Sequence, residues 1–218
     1  MVLGIYGSGG LGREVLDLAS GINANAAKWE KIVFINDSKE ESPINGAEIF
    51  TLFEFIANFP VANAKIIIAL GEPKYRQALR DKVVASGYKL QTLIHPTAFV
   101  GSKTLIGEGT IIQFGCFVSC NVKVGDNVLL QPYSCVGHDS TIDRDSVVST
   151  FVALSGSCKV GERAYIGAGV PVKEKITIGA DSIVGMGSVV LRDIPEKVIA
   201  LGNPARAMKN NESGRVFG

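Results

Sequence analysis

From Ile94 to Val190, every sixth residue is aliphatic. Ile94, Val100, Ile106, Ile112, Val118 and Val124 open a series of seventeen such positions, each Ile, Val or Leu. A helix repeats every 3.6 residues and a lone strand every 2, so a period of six is neither. It predicts short strands joined by tight turns, three to a coil of about 18 residues, stacked as a solenoid. A small or β-branched residue stands four places after most aliphatic positions, as at Ala98, Thr104, Thr110, Cys116 and Ser134, and suits a narrow interior. Glycine often follows the aliphatic residue, as at Gly101, Gly107, Gly125 and Gly137. Its expected role is to tolerate the backbone angles of the turn. The register never breaks, so no long loop is expected in the prism.

The preceding segment has a different rhythm. Leu3-Gly4-Ile5-Tyr6 reads as a buried strand, and Gly7-Ser8-Gly9-Gly10-Leu11-Gly12 leads into an amphipathic helix from Arg13. Gly7, Gly9 and Gly12 satisfy G-x-G-x-x-G between a strand and a helix, where backbone N–H groups meet a phosphate. Ser8 and Gly10 belong to the same loop. Ile32-Val33-Phe34-Ile35 is a second strand, and Asp37 beyond it is placed to meet a ribose or base. A third strand, Ile66-Ile67-Ile68-Ala69-Leu70, precedes Gly71 and a helix carrying Arg76. These readings make residues 1–93 a Rossmann-like α/β domain and residues 94–218 a parallel β-helix with a C-terminal cap. The α/β unit is about half of a dinucleotide fold, so a nucleoside diphosphate, expected as UDP, suits it better than NAD. An NAD-dependent reductase and a non-catalytic nucleotide-sugar-binding scaffold are the alternative readings.

Composition narrows the partners. The 218 residues are 46% hydrophobic and 20% charged, with a net charge of +1. Nothing there predicts binding to nucleic acid or an anionic membrane, which need clustered Lys and Arg. No apolar run reaches the roughly 18–20 residues of a membrane span. The N-terminal residues lack a basic region, so no signal peptide and a cytoplasmic location are expected. Cys116, Cys120, Cys135 and Cys158 fit no zinc spacing, and no metal is expected.

Chemistry concentrates at Gly137-His138-Asp139. Val136 is an interior position, so His138, two residues on, is expected to project outward near a turn. An adjacent acid orients an imidazole and raises its basicity, which makes His138 a candidate general base. His95, before Pro96, reads as a structural join where the prism begins.

In this order the features resemble the sialic acid O-acetyltransferase and bacillosamine N-acetyltransferase group, the NeuD/PglD family. The residues that carry the resemblance are Gly7 to Gly12 with Arg13-Glu14-Val15, Asp37, Ala69-Leu70-Gly71 with Arg76, Gly137-His138-Asp139 and Gly202-Asn203-Pro204-Ala205-Arg206. The resemblance implies a left-handed β-helix, a homotrimer, acetyl-CoA as donor, and a UDP-linked amino sugar or a sialic acid as acceptor in bacterial surface glycan synthesis. It implies His138 as base with Asp139 behind it, Gly71 and Arg76 among the residues that bind the substrate, and Gln131 as a substrate-binding polar residue on the coil below. Gly156 and Ala168 match coenzyme-contacting positions, with Asn203, Pro204 and Arg206 in the terminal signature. Two departures stand out. Met186 replaces a coenzyme-contacting glycine, and Val147 stands where many members carry a second histidine.

Overall fold

The computed structural model describes residues 1–38 and 43–217. The front unit consists of β1 (Val2–Tyr6), α1 (Gly10–Ala26), β2 (Lys31–Ile35), β3 (Ile49–Phe50), α2 (Leu52–Asn58), β4 (Ala64–Ile68) and α3 (Pro73–Ala85). Its four strands pair in parallel in the order β3-β2-β1-β4. All five residues of β1 are buried, as a central strand covered on both faces requires. The order reverses at β1, which opens a crevice beyond the carboxyl ends of β1 and β4. Gly7 to Gly10 and Gly71 lie at that end.

From Leu93 the chain winds as a left-handed β-helix. Each strand is two residues long, and each pairs in parallel with the strand 18 residues on. Ile112, Leu130, Val148, Ile166 and Val184 stack in this way. Three sheets form the sides of the prism. The first runs from Leu93–Ile94 to Ile183–Val184 and ends in the antiparallel hairpin of Val198–Gly202 and Ala205–Asn210. The second runs from Phe99–Val100 to Pro171–Val172, and the third from Leu105–Ile106 to Thr177–Ile178. The second residue of most strands points inward, and these positions form one continuous apolar core.

The glycines after the aliphatic residues do not serve as expected. The left-handed corner residues stand two places later, at Lys103, Asn121, Asp139 and Ser157 along one edge. The glycines instead allow one coil to lie on the next. A β-carbon at Gly137 would come 2.5 Å from the Ser155 carbonyl carbon, and one at Gly101 2.7 Å from the Cys120 amide nitrogen.

The front unit packs against the first side. Leu93, Ile111, Leu129 and Val147 face outward there, yet share a core with Val15, Leu18 and Ile67. A polar lock reinforces the contact. Arg76 is fully buried, and its Nε and Nη2 donate to the Asn127 carbonyl at 2.9 and 2.7 Å. Nη2 also reaches Asn127 Oδ1, and Nη1 serves the Ile68 and Leu70 carbonyls. Asn127 Nδ2 donates to Asp145 Oδ1 at 2.7 Å, and Arg80 pairs with Oδ2. Burial pulls the Arg76 guanidinium down to about 10, still a cation at neutral pH. Arg76 is therefore a fastener between front unit and prism, and its expected role in binding substrate is corrected: no face of it reaches solvent.

Candidate active site

His138 sits on the edge between the second and third sides of the prism. The strand Cys135–Val136 ends, Gly137 passes over the coil beneath, and Asp139 turns the corner at φ +59°. The Asp139 amide donates to the Cys120 carbonyl on the preceding coil at 3.2 Å. Asp139 Oδ2 then meets His138 Nδ1 at 2.7 Å, while Oδ1 accepts from Asn121 Nδ2 at 3.2 Å. These two hydrogen bonds hold the Asp139 carboxyl below the usual carboxylate range, His138 contributing more than Asn121. A carboxylate only accepts, so Nδ1 carries the proton and Nε2 is the basic nitrogen. The ring lies over Gly156, the residue one coil on. The side chain is 61% exposed, so Nε2 is open to an incoming reactant. Asn121 was not among the expected residues. The repeat contained the signal, since Asn121 precedes Asp139 by one coil of 18 residues.

The front-unit crevice is shaped for an anion. Gly7 adopts φ +114°, and Gly12 lets α1 approach so closely that a β-carbon there would meet the Gly7 carbonyl oxygen at 2.1 Å. Space is open over Gly9 and Gly10. Gly9 is the N-cap of α1 and has no side chain to satisfy the first-turn amides, a geometry that can accept an anion. Ser8 is buried beneath the loop and accepts from Asn36 Nδ2 at 2.7 Å. Gly71 lies at the neighbouring strand end, near Phe217. Asp37 reaches the crevice with its carboxylate already engaged. Oδ1 accepts from the Leu52 amide, and Oδ2 from the Tyr6 hydroxyl and the Lys82 ammonium at 2.5 Å each. Burial pushes this carboxyl up, but the hydrogen bonds outweigh it and leave Asp37 below its ordinary range. Tyr6 and Lys82 were not anticipated, because neither lies within the glycine motif.

A cleft of about 800 Å³ runs between α1 and the edge joining the first and second sides of the prism. Gln131 lines it beside Glu14, Gln113 and Tyr133. Gln131 is thus on the same coil as His138, one edge earlier, and not on the coil below it. The expected coenzyme residues are divided as well. Gly156 lies under His138. Ala168 and Met186 stand one coil apart on the Gln131 edge, where Ala168 accepts from the Gly187 amide. Asn203 and Pro204 form the turn of the terminal hairpin, joined by a cis peptide, and Arg206 lies on its outgoing strand. Val147 does not stand near His138. It is buried under the front unit between Leu129 and Tyr165, so a histidine there would enter an apolar core.

Residues 2–83 match the family described as the PglD N-terminal domain. The chain is 30% identical over 214 residues to a GDP-perosamine N-acetyltransferase from Escherichia coli, covering 95% of this chain and 96% of that one. Among solved structures, it resembles the acetyltransferase domain of PglB from Neisseria gonorrhoeae in complex with acetyl coenzyme A. That likeness has a TM-score of 0.89 at 28% identity and covers 95% and 98% of the two chains. It also resembles PerB from Caulobacter crescentus in complex with CoA and GDP-perosamine, at a TM-score of 0.82 and 29% identity, covering 95% and 97%.

Proposed function

The chain belongs to the PglD-type family of acetyl-CoA-dependent sugar acetyltransferases, and from that premise we propose that it N-acetylates a nucleotide-linked amino sugar with His138 as the base. The carrying observation is the Asn121–Asp139–His138 relay, which leaves Nε2 exposed over Gly156. Nε2 takes a proton from the acceptor amine as its nitrogen attacks the thioester carbonyl of acetyl-CoA. The Gly156 N–H is the candidate donor to the resulting oxyanion. Collapse breaks the carbon–sulfur bond, and the departing thiolate receives the proton from His138. The products are the sugar amide and coenzyme A.

Residues 1–93 hold the nucleotide, with the diphosphate on the open amides around Gly9 and Gly10, and residues 94–218 carry the transfer chemistry. The GDP-perosamine named for two relatives favours an N-acetyl product over sialic acid O-acetylation. It also puts a guanosine nucleotide ahead of the expected uridine. The half-sized fold distinguishes a mononucleotide from NAD but carries no preference between bases.

The acceptor cleft and His138 occupy different edges of one prism, so a second copy supplies the base to the first copy's cleft. Exposed, stacked rings of Phe99 and Phe117, 5.1 Å apart on the second side, support self-association of the prism as a homotrimer. The test is acetyl transfer to GDP- and UDP-linked 4-amino sugars, read by thiol release. His138→Ala is expected to lower kcat by about 10²–10⁴ with acetyl-CoA affinity unchanged. Full turnover by that variant defeats the reading.

A further inference from the structure

Beyond the terminal hairpin the chain turns back to the front unit. Asn211 fixes its course on the prism, its amide donating to the Lys197 carbonyl and its Nδ2 to the Asp181 carbonyl, each at 2.8 Å. Residues 213–217 then run along residues 71–75, the turn after β4 and the start of α3. Lys74 Nζ donates to the Ser213 carbonyl at 2.9 Å, and the Arg215 guanidinium lies 5.6 Å from the centre of the Tyr75 ring. The Val216 and Phe217 amides donate to Glu72 Oε2 at 2.9 and 3.0 Å. The Phe217 ring meets the Tyr165 ring of the prism edge-on, with 5.7 Å between centres.

Glu72 shows that this course is specific. It is the N-cap residue of α3, yet its side chain takes none of that helix's amides. It is buried, and among the described residues the two tail amides are its side-chain hydrogen-bond donors. A buried carboxylate without donors is costly, so Glu72 and the tail hold each other in place.

The tail delivers an aromatic ring to the crevice. A β-carbon at Gly71 would lie 3.8 Å from Phe217 Cε2, the one described atom beyond its chain neighbours within 4 Å. Gly7, which opens the glycine loop, approaches the same turn so closely that a β-carbon there would lie 2.8 Å from the Ala69 carbonyl oxygen. The strand order β3-β2-β1-β4 sets Asp37, after β2, and Gly71, after β4, on opposite flanks of that loop. A nucleotide lying across these strand ends therefore has Asp37 on one flank and Phe217 on the other. Phe217 is 54% exposed, so the ring keeps an open surface.

We infer that residues 213–217 form a strap that completes the nucleotide crevice, with Phe217 as its aromatic wall against the bound nucleotide and Glu72 as the residue that positions it. This rests on the reading that the glycine loop holds a nucleotide. An aromatic face packs on any base or ribose, so the wall adds affinity without choosing between guanosine and uridine.

The test is calorimetry of the full chain with GDP, UDP and acetyl-CoA, comparing wild type, Phe217→Ala, Glu72→Ala, Glu72→Gln and the double alanine variant. Phe217→Ala should raise Kd for GDP and UDP alike by about 5–50-fold, the range of a base stacked on an aromatic ring, with acetyl-CoA affinity within twofold. Glu72→Ala should cost about as much, and the double variant no more than either, because both lesions remove the same wall. Glu72→Gln keeps an oxygen for the two amides and should lose less. A nucleotide Kd within twofold of wild type in Phe217→Ala, or tighter binding, overturns the inference and leaves the glycine-loop site standing. Losses that add in the double variant overturn the positioning role of Glu72. Failure of wild type to bind either GDP or UDP overturns the nucleotide reading and the strap with it.

Discussion

The imidazole of His138 rests so closely on Gly156 that a β-carbon at position 156 would lie 2.6 Å from Nε2. Gly156→Ala must therefore displace the ring, and the ring yields easily because it is an exposed side chain rather than backbone. The prism should fold as before, with melting unchanged. Misplacing a catalytic group by about 1 Å costs about 10²-fold, so kcat should fall by roughly 10–10². Paired melting and kcat measurements check this, and an unchanged kcat would remove Nε2 as the reacting atom.

Asn121 reaches the chemistry only through Asp139. Asn121→Ala removes one of the two hydrogen bonds that depress the Asp139 carboxyl, while the stronger one from His138 remains. The Asp139 pKa should rise towards its ordinary value. That shift stays within the carboxylate range, below the pH at which an imidazole base is lost, so the acid limb of kcat should stay in place and the cost should appear as poorer orientation of the ring. At neutral pH the loss should be about 3–10-fold, the worth of one net hydrogen bond. A pH–rate profile tests it, and Asn121→Asp, which sets two carboxylates together, should fare worse than alanine.

The period of six announced the coils, the interior positions and the outward placement of His138, because a solenoid maps sequence spacing directly onto space. Relations across coils were legible only once 18 residues was taken as the vertical step, and Asn121, Gly156 and Gln113 all lie along it. Arg76 was misread because it stands with Ala69-Leu70-Gly71 in the stretch that resembles the nucleotide-sugar domain. Only the docking of the front unit on the prism reveals Asn127 as its partner. Val147 lies nine residues from His138, and nine residues is half a coil, which carries the chain to another side of the prism.

Arg76 supplies a stability prediction. Arg76→Met leaves the Ile68, Leu70 and Asn127 carbonyls without their buried donor and leaves Asp145 with Arg80 alone. Breaking one partner of a buried charged network costs about 3–5 kcal/mol. Denaturant unfolding should show that loss, and Arg76→Lys should not recover it, since one ammonium cannot reach the four oxygens now served. Nucleotide affinity measured on the folded fraction should be unchanged. A loss of affinity without a loss of stability would restore Arg76 to the binding site.

The glycine loop separates folding from binding within a few residues. Gly9→Val enters open space at the N-cap of α1 and should cost about 1 kcal/mol or less in stability. The same side chain occupies the space a phosphate needs, so calorimetry with GDP and UDP should find no binding. Gly12→Val, which would meet the Gly7 carbonyl, should instead fail to fold. Nucleotide binding by a folded Gly9→Val protein would move the phosphate elsewhere.

The division of the site between copies can be tested by mixing two dead proteins. His138→Ala chains keep the glycine loop and cleft but have no base. Gly9→Val chains keep the base but cannot hold the nucleotide. Neither homotrimer should turn over. If each site takes its base from one copy and its cleft from the neighbour, random reassembly at equal concentrations gives an intact pairing whenever a Gly9→Val chain faces a His138→Ala cleft. That happens at about one site in four, half for each chain choice in a closed cyclic trimer. The mixture should therefore recover about a quarter of wild-type turnover after subunit exchange, and none before it. If both halves of the site belonged to one chain, every site in every mixed trimer would carry a lesion and no activity would return. A recovery near zero with exchange verified by mass spectrometry would place the reaction within a single protomer. His138 would then have to reach an acceptor on its own prism edge, away from the cleft that holds Gln131.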